Sequence, residues 1–339
     1  MSPFLPVRKP LLRRRAAAGL LAGVALAASG RLAAEPPEPI SPLPLTVDED
    51  PQRVALGGRL FRDTLLSRNN NLSCVGCHPL ARGGVDGRPR AIAADGRQRL
   101  RNTPTVWNVR FNLYLNWDGG HESLTAHTDA LVQNPAVMGM DWPTLLARLK
   151  ASPSYVAEFR QLGPEGITRE RVLEALVAFE RSLITPNARI DRYLRGQLDA
   201  LTADEGRGYR LFKSYGCIAC HQGMNIGGNV VQRFGVFAVP DLLGLAADPP
   251  DPGRIRVTQD PRDQFVFRVP SLRNVALTAP YFHDGRAPTL EVAVRVMAQA
   301  QLGRTLTAED IRLIAAFLRT LTGEVDGRIP TPAGTEARP

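Results

Sequence analysis

The sequence predicts an all-α fold whose helices are joined by long ordered loops. Apolar residues recur at helical spacing, for example Val172, Leu176, Phe179 and Leu183. Stretches rich in glycine and proline separate these patterns and indicate loops. No run of alternating apolar and polar residues is long enough to predict a sheet.

Local signals fix the starts of two predicted helices. Thr202 and Glu205 form a capping box, in which each side chain accepts from the backbone N–H of the other residue. Thr307 caps the last helix, and the acidic Glu309 and Asp310 suit its positive N-terminal end. In chain order, the predicted helices cover residues 55–63, 143–151, 168–184, 202–216, 290–300 and 307–321.

Length and internal repetition predict two domains. A chain of 339 residues exceeds the usual size of one domain. Both halves contain a helix, then a glycine-containing or polar turn, then a Cys-x-x-Cys-His unit. We therefore predict an N-terminal domain in residues 48–195 and a C-terminal domain in residues 196–325. The proline-rich residues 35–47 are predicted to form an exposed linker, and residues 326–339 a tail.

The first 34 residues have the layout of a secretory signal peptide. Three consecutive arginines at 13–15 precede the apolar run Ala16–Ser29, and small residues follow at 33 and 34. The apolar run is too short to span a bilayer comfortably. We predict that residues 1–34 direct export to the periplasm, with an uncleaved membrane tether as the alternative.

The basic net charge comes mostly from this leader. The whole chain has 42 basic and 33 acidic residues, which gives +9. The leader holds six of the basic residues and no acidic one, so the remainder has 36 against 33, or +3. A nearly balanced surface gives no reason to expect nucleic acid as a partner.

All four cysteines lie in two Cys-x-x-Cys-His units, so none remains for a disulfide. This unit is typical of covalent c-type haem attachment, in which the thiols form thioethers and the histidine ligates the iron. Zinc would need four nitrogen or sulfur ligands, and each unit offers three. We predict two haem c groups, held by Cys74, Cys77 and His78 and by Cys217, Cys220 and His221.

Few residues can ligate the opposite face of each iron. For the second haem we predict Met297, which lies 76 residues after His221 on the amphipathic helix LEVAVRVMAQA. His283 is the competing ligand, and a core position for the methionine is the alternative. Met138 or Met140 would ligate the first iron if the protein were a simple two-haem electron carrier.

A series of motifs runs from about residue 55 to residue 321: CVGCH, RNTPTVWN, NWDGG, NPAVMGM, FERSLITPNARIDRYLRG, GCIACHQGMNIGG, FRVPSLRNVALTAPYFHDG and TLEVAVRVM. In these motifs the chain resembles the bacterial di-haem cytochrome c peroxidase and MauG family. The resemblance implies two cytochrome c-like haem domains, with an N-terminal haem that meets hydrogen peroxide and an electron-transferring C-terminal haem with His/Met ligands. It also implies that Trp117 lies between the haems.

A calcium site at the domain interface is also implied by the resemblance. It would be formed by Asn102 with the backbone oxygens of Thr278 and Pro280. An all-oxygen ligand set suits this hard cation. Members of the family are commonly dimers, although no residue of this chain indicates a homodimer.

The chain departs from the family pattern around the first haem. Many members block the resting N-terminal haem with a histidine, and here that position is Ala94, which cannot ligate iron. We therefore expect this haem to be five-coordinate and open, as in the MauG branch. The family glutamate of the NPxEMG motif is replaced by Val137, which cannot transfer a proton.

His127 is the candidate replacement for that glutamate. It stands where related sequences often carry glutamine facing the same pocket, and imidazole can act as an acid and a base near neutral pH. A helix-surface histidine without a catalytic role is the alternative. His121 is interpreted as a loop residue or a residue one layer removed from the pocket.

We therefore predict a periplasmic haem peroxidase that reacts with hydrogen peroxide and draws electrons through Trp117 and the second haem. A small cytochrome c or a cupredoxin would be the electron donor. The first alternative is an enzyme like MauG or MbnH, which uses peroxide to oxidise tryptophan or similar residues of a partner protein. The second is a non-enzymatic di-haem electron carrier.

Overall fold

A computed structural model of the chain describes residues 38–237 and 250–331. Within these residues the secondary structure is dominated by eleven α-helices, so the predicted helix-rich class is confirmed. The predicted signal peptide, residues 1–34, lies outside the described residues. Among the residues that the structure describes, none of the helices combines the length and apolarity that a membrane crossing requires.

The first half is built around a close pair of helices, α1 and α6. Their core includes Phe61 and Phe179, whose ring centroids lie 5.2 Å apart. Gly57 permits the close approach, because a Cβ atom there would overlap the carbonyl oxygen of Ala175. The helices of this half are α1 (Pro51–Arg62), α2 (Cys74–Cys77), α3 (Leu124–Gln133), α4 (Trp142–Lys150), α5 (Pro153–Gln161) and α6 (Arg169–Ser182).

The second half repeats this arrangement with α8 and α11. Gly208 of α8 faces the carbonyl oxygen of Leu313 in α11, and again a Cβ atom would overlap it. This pair forms a second hydrophobic core with Phe212 and Phe317. The helices of this half are α7 (Arg189–Leu194), α8 (Ala203–Ser214), α9 (Ile255–Thr258), α10 (Leu290–Leu302) and α11 (Ala308–Arg319).

All six helices expected from sequence patterns are present, and the predicted capping box between Thr202 and Glu205 is formed. The structure adds one short ladder that the sequence did not predict. Strands β1 (Val231–Arg233) and β2 (Val266–Arg268) pair antiparallel. Three residues per strand are too few for an alternating pattern to be detected.

The predicted linker, residues 35–47, is described from residue 38 onward, and its exposure is mixed: Leu45 is 60% exposed, whereas two other apolar residues are buried. Ile40 and Leu43 are 2% and 1% exposed and pack on the second half. Ile40 belongs to the second core and forms an isolated bridge with Gly223. Proline in this segment limits backbone donors without preventing its apolar side chains from being buried.

A buried ion pair anchors this segment. Arg273 Nη1 lies 2.7 Å from Asp191 Oδ1, and both side chains are fully buried. Asp191 accepts a hydrogen bond from the backbone N–H of Leu43, and Arg273 donates one to the carbonyl oxygen of Ser41. The pair therefore links the N-terminal segment to α7 and to the loop that contains Arg273.

Replacing Asp191 by alanine is expected to destabilise the protein by about 3–5 kcal/mol, because the Arg273 guanidinium stays buried without its counter-charge. The free energy of unfolding of the haem-loaded protein in urea would measure the loss. Asp199→Ala, an exposed change in the same region, is the control and should alter stability by less than about 0.5 kcal/mol. Equal effects of the two substitutions would contradict the anchoring role.

Candidate functional site

The first cysteine pair lies on the single-turn helix α2, with His78 directly after it. The His78 backbone N–H donates to the carbonyl oxygen of Cys74, which closes the turn. Cys74 packs against the first core, and burial raises the pKa of its thiol to about 12. Neither cysteine forms a disulfide, so both sulfur atoms are left for thioether bonds to a porphyrin.

The second cysteine pair repeats this geometry on a 3₁₀ turn, Cys217–Ala219. The backbone N–H of His221 donates to the carbonyl oxygen of Cys217. Cys217 packs against the second core as Cys74 packs against the first. Each core therefore presents one cysteine pair and one adjacent histidine.

The two histidines are oriented in the same way. His78 Nδ1 lies 3.1 Å from the carbonyl oxygen of Gly84, and His221 Nδ1 lies 3.4 Å from that of Ile226. A carbonyl can only accept, so Nδ1 carries the proton and Nε2 keeps its lone pair for a metal. Burial lowers the pKa of both rings, that of His221 to about 4, so both are neutral at pH 7. This donor set fits c-type haem.

A cavity of about 360 Å³ adjoins the second cysteine pair. Its wall contains Cys217, Cys220 and His221 and, from α10, Met297. The structure thus brings the predicted methionine and histidine ligands to one cavity. The lining is predominantly apolar, as expected of a pocket for a porphyrin.

His283, the competing ligand, also lines this cavity. Its ring stacks on Phe267 with centroids 4.1 Å apart, and its side chain is 5% exposed. Burial lowers the pKa of His283 to about 4.

Trp117 lines the same cavity and is held by backbone groups on two sides. Its Nε1–H donates to the carbonyl oxygen of Asn102, and its own carbonyl oxygen accepts from the Arg268 backbone N–H. The neighbouring Asp118 accepts from Arg101, which also pairs with Asp251. The loop that contains the indole is therefore tied to both halves of the chain.

The three residues predicted to bind calcium, Asn102, Thr278 and Pro280, all line this cavity. The Asn102 side chain donates through its nitrogen to the carbonyl oxygen of Arg88. Within the described residues, neither its side-chain oxygen nor the carbonyl oxygens of Thr278 and Pro280 accept a hydrogen bond. The set therefore offers three uncommitted oxygens, and its chemistry fits a hard cation.

The structure brings together the two departures from the family pattern near the first haem unit. The Ala94 backbone N–H donates to the carbonyl oxygen of Ala136, whose neighbour is Val137. Val137 and Cys74 both pack against the first core. Position 94 therefore lies beside the segment in which the family glutamate is expected, and neither side chain present there can bind iron or transfer a proton.

His127 lies on α3 near the first cysteine pair. Its Nδ1 is buried without a hydrogen-bond partner in the described part of the chain, and its ring centroid lies 5.4 Å from that of His121. Burial and then the charges of His121, His78 and Arg268 lower the pKa of His127 to about 3. The two imidazoles therefore pack against each other, His121 from the loop before α3 and His127 from α3 itself.

Met138 and Met140 are 6% and 2% exposed and belong to the first hydrophobic core. Their environment is that of packing residues, which weakens the case for either as an iron ligand.

Among the buried charged residues that sequence reasoning missed, Arg268 and Glu180 lie near the candidate site. Arg268 is 6% exposed, lines the cavity and donates through Nε to the carbonyl oxygen of Asn116. Glu180 is 8% exposed on α6 and accepts a hydrogen bond from Thr128. A signal existed for Glu180, because it follows Leu176 by four residues on the predicted apolar face of the helix.

Comparison with known proteins gives consistent results. The model of a family described as di-haem cytochrome c peroxidase matches residues 51–199. Cytochrome c551 peroxidase of Nitrosomonas europaea is 38% identical over 303 residues, which cover 89% of each chain. Cytochrome c peroxidase Ccp of Escherichia coli is 40% identical over 84% of this chain, and the match spans 61% of that longer protein.

Two further comparisons involve MauG. Methylamine utilization protein MauG of Methylorubrum extorquens is 33% identical over 81% of this chain and 79% of its own length. The crystal structure of a MauG-like protein associated with microbial copper homeostasis superposes with a TM-score of 0.73. That structure is 28% identical, and the match covers 85% of this chain and 94% of the other.

Met297→Leu is expected to convert the oxidised second haem from low-spin to high-spin, because leucine offers no ligand atom. It should also lower the reduction potential of that haem, since Met/His ligation raises it. Electron paramagnetic resonance and a redox titration of the purified protein measure both effects. His283→Phe, which preserves the stacked ring, is the control, and loss of the low-spin signal in this variant instead would identify His283 as the ligand.

Proposed function

Because this chain belongs to the di-haem cytochrome c peroxidase and MauG family, we propose that it reduces hydrogen peroxide at a haem attached to Cys74 and Cys77. The observation that carries the proposal is the contact between Ala94 and Ala136, next to Val137. At the position where relatives of this family are expected to block the iron, this chain has only a methyl group.

The proposed iron ligands follow from the orientation of the histidines. His78 is the protein ligand of the first haem and His221 of the second, each through Nε2. Met297, which lines the same cavity as His221, would be the second protein ligand of that haem. Bound haem supplies the iron that exchanges electrons with peroxide, and the chain determines which of the two irons a small molecule can reach.

His127 is the proposed acid-base residue of the first site. Its depressed pKa means that the imidazole is unprotonated at neutral pH and can accept a proton from peroxide. The protonated ring then returns that proton to the departing oxygen, a task that Val137 cannot perform. His121 packs beside this ring and positions it.

Trp117 is the proposed route for electrons between the haems. The indole N–H donates a hydrogen bond to the carbonyl oxygen of Asn102, which is too weak a base to remove the proton. Arg101 and Arg268 hold the loop that contains the indole. A fixed aromatic ring with few conformations to reorganise suits repeated electron transfer. The donor is proposed to be a small cytochrome c or a cupredoxin.

The setting of the enzyme is proposed on the same basis. The leader, with its arginines followed by an apolar run, supports export of the protein to the periplasm. Calcium at Asn102, Thr278 and Pro280 would connect the Trp117 segment to the loop after β2. A homodimer is proposed only because dimers are common in the family.

A second candidate function is oxidation of tryptophan or similar residues on a partner protein. Ala94 favours it, because an open resting iron is the expected property of the MauG branch. The similarity to a MauG-like structure at a TM-score of 0.73 also favours it. Two measurements separate the activities. Steady-state oxidation of reduced cytochrome c by peroxide would support the peroxidase. A peroxide-dependent mass change on a co-expressed protein that is encoded nearby would support the oxidation of a partner protein.

The oxidised protein is expected to contain one high-spin and one low-spin haem without prior reduction, since two protein ligands are proposed for the second haem and one for the first. Electron paramagnetic resonance and electronic absorption spectra measure the two spin states. Two low-spin haems would contradict the enzyme and support the electron carrier.

His127→Ala is expected to lower kcat/KM for peroxide by about 10²–10⁴-fold, the usual contribution of a positioned acid-base group. Because the pKa of His127 is lowered to about 3, the wild-type rate should not fall between pH 7 and pH 5 through protonation of this residue. The measurement is stopped-flow reaction with peroxide at several pH values.

Two controls accompany this experiment. His127→Gln retains a hydrogen-bonding side chain that cannot transfer protons, and should be as slow as His127→Ala. Gln133→Ala, an exposed change on the same helix, should react at the wild-type rate. A His127→Gln variant with wild-type kinetics would limit His127 to a hydrogen-bonding role.

A further inference from the structure

Glu180 is a buried acid that the proposed reaction does not use. It lies on the face of α6 that packs against α3, and its Oε2 accepts a hydrogen bond of 2.9 Å from Thr128 Oγ1. Cys74, the first haem attachment residue, packs against the same core as Phe179, the residue before Glu180. After burial, the charge of Glu180 also contributes to the raised pKa of the Cys74 thiol. A buried carboxyl therefore lies in the part of the core that holds the first haem unit.

No cation neutralises this carboxyl among the described residues. From α1, Arg62 lies over the Phe179 ring and donates to the carbonyl oxygen of Gly58. From the 3₁₀ turn Val109–Phe111, Arg110 donates to Glu49 and to the Arg181 carbonyl oxygen.

The groups on α3 are also committed elsewhere. Asp129 pairs with Arg169, and the His127 ring pairs with His121. Burial consequently dominates the proton affinity of Glu180, with only the Thr128 hydroxyl opposing it, and its pKa is raised to about 7. The carboxyl is thus poised to gain or lose a proton under ordinary conditions.

A polar cleft of about 190 Å³ lies near this carboxyl on a neighbouring face of α6. Val177, Ala178 and Arg181 line it, whereas Glu180 itself does not. Thr125, one helical turn before Thr128, lines it from α3, and the acidic Glu49 and Asp50 stand opposite. Water in this cleft would reach within one turn of the Thr128–Glu180 pair.

We propose that Glu180 is the proton-uptake group of the first haem. Its carboxylate binds a proton from solvent when the haem attached to Cys74 and Cys77 gains an electron. The step is balanced: one electron, supplied by the donor protein, converts ferric to ferrous iron, and one proton converts the carboxylate to the acid. The proposal rests on the proposed function only for the attachment of haem to these cysteines.

The physical basis is the interaction of two charges in a poorly solvated interior. Reduction removes one positive charge from the haem, which makes a nearby carboxylate less favourable and raises its affinity for a proton. By linkage, the charge state of the carboxyl changes the affinity of the haem for the electron by the same factor. The hydroxyl of Thr128 sets the pH at which this coupling operates.

The experiment is a redox titration of the first haem in the haem-loaded protein, followed by its absorption spectrum at several pH values. In the wild-type protein the reduction potential should fall with increasing pH above about pH 7, by at most about 59 mV per unit, the one-electron equivalent of a tenfold change in an equilibrium constant. In Glu180→Gln the potential should be independent of pH in this range. The two proteins should agree at low pH, where the carboxyl is protonated in both oxidation states, and diverge as pH rises.

Two further variants make the test specific. Glu174→Gln removes an exposed acid from the same helix and the same cleft, and should keep the wild-type pH dependence. Thr128→Val removes the hydrogen bond that stabilises the carboxylate, so the pH-dependent range should move to higher pH. Thr128→Val also tests the proposal if Glu180→Gln fails to incorporate haem.

A wild-type slope retained in Glu180→Gln would overturn the proposal, as would equal loss of the slope in Glu174→Gln. An unmoved range in Thr128→Val would overturn it as well. These outcomes are independent of the proposed catalytic site, because the spin state of the oxidised first haem is read from the same samples. A low-spin first haem would contradict the proposed open site. The proton coupling would still be tested by the slope of the reduction potential against pH.

Discussion

The bond from each haem-unit histidine to a backbone carbonyl is the interaction on which the rest of the site depends. Both accepting carbonyls belong to residues with positive φ, 69° at Gly84 and 55° at Ile226. Glycine adopts this conformation readily, whereas a β-branched residue does so only when its surroundings enforce it. Ile226 is fully buried in the second core, which supplies that enforcement. The cores thus determine the direction of Nε2 through the loops that they hold.

The regular helices could be predicted because their signals are local. The cap at Thr307 and the apolar spacing of α6 need no knowledge of distant residues. In contrast, α3 escaped prediction because its sequence, LTAHTDALVQ, mixes polar and apolar residues without a clear stripe. The burial of Ile40 and Leu43 was also unpredictable, because it depends on a surface formed by residues far along the chain.

In the candidate site, too, local features could be predicted from the sequence, whereas contacts between distant residues could not. The cysteine pairs and their histidines are contiguous motifs, and the family resemblance supplied Met297, Ala94 and Val137. The pairing of His127 with His121, and the burial of Glu180 against Thr128, depend on how α3 crosses the neighbouring elements. Helix crossing is set by packing over whole surfaces, so side chains that meet in this way cannot be read from one sequence.

The docking of residues 38–43 has a consequence for how the molecule is assembled. The Leu43 backbone bonds a carboxylate 148 positions later, and Ser41 bonds a guanidinium 232 positions later. During synthesis this segment emerges early and has no surface to bind until most of the chain has followed. The first helical core can form in the interval, but the ends of the protein are joined only when its last third is available. Chains truncated before Arg273 would therefore leave the apolar segment 38–43 without part of its binding surface, and quality-control proteases could recognise it.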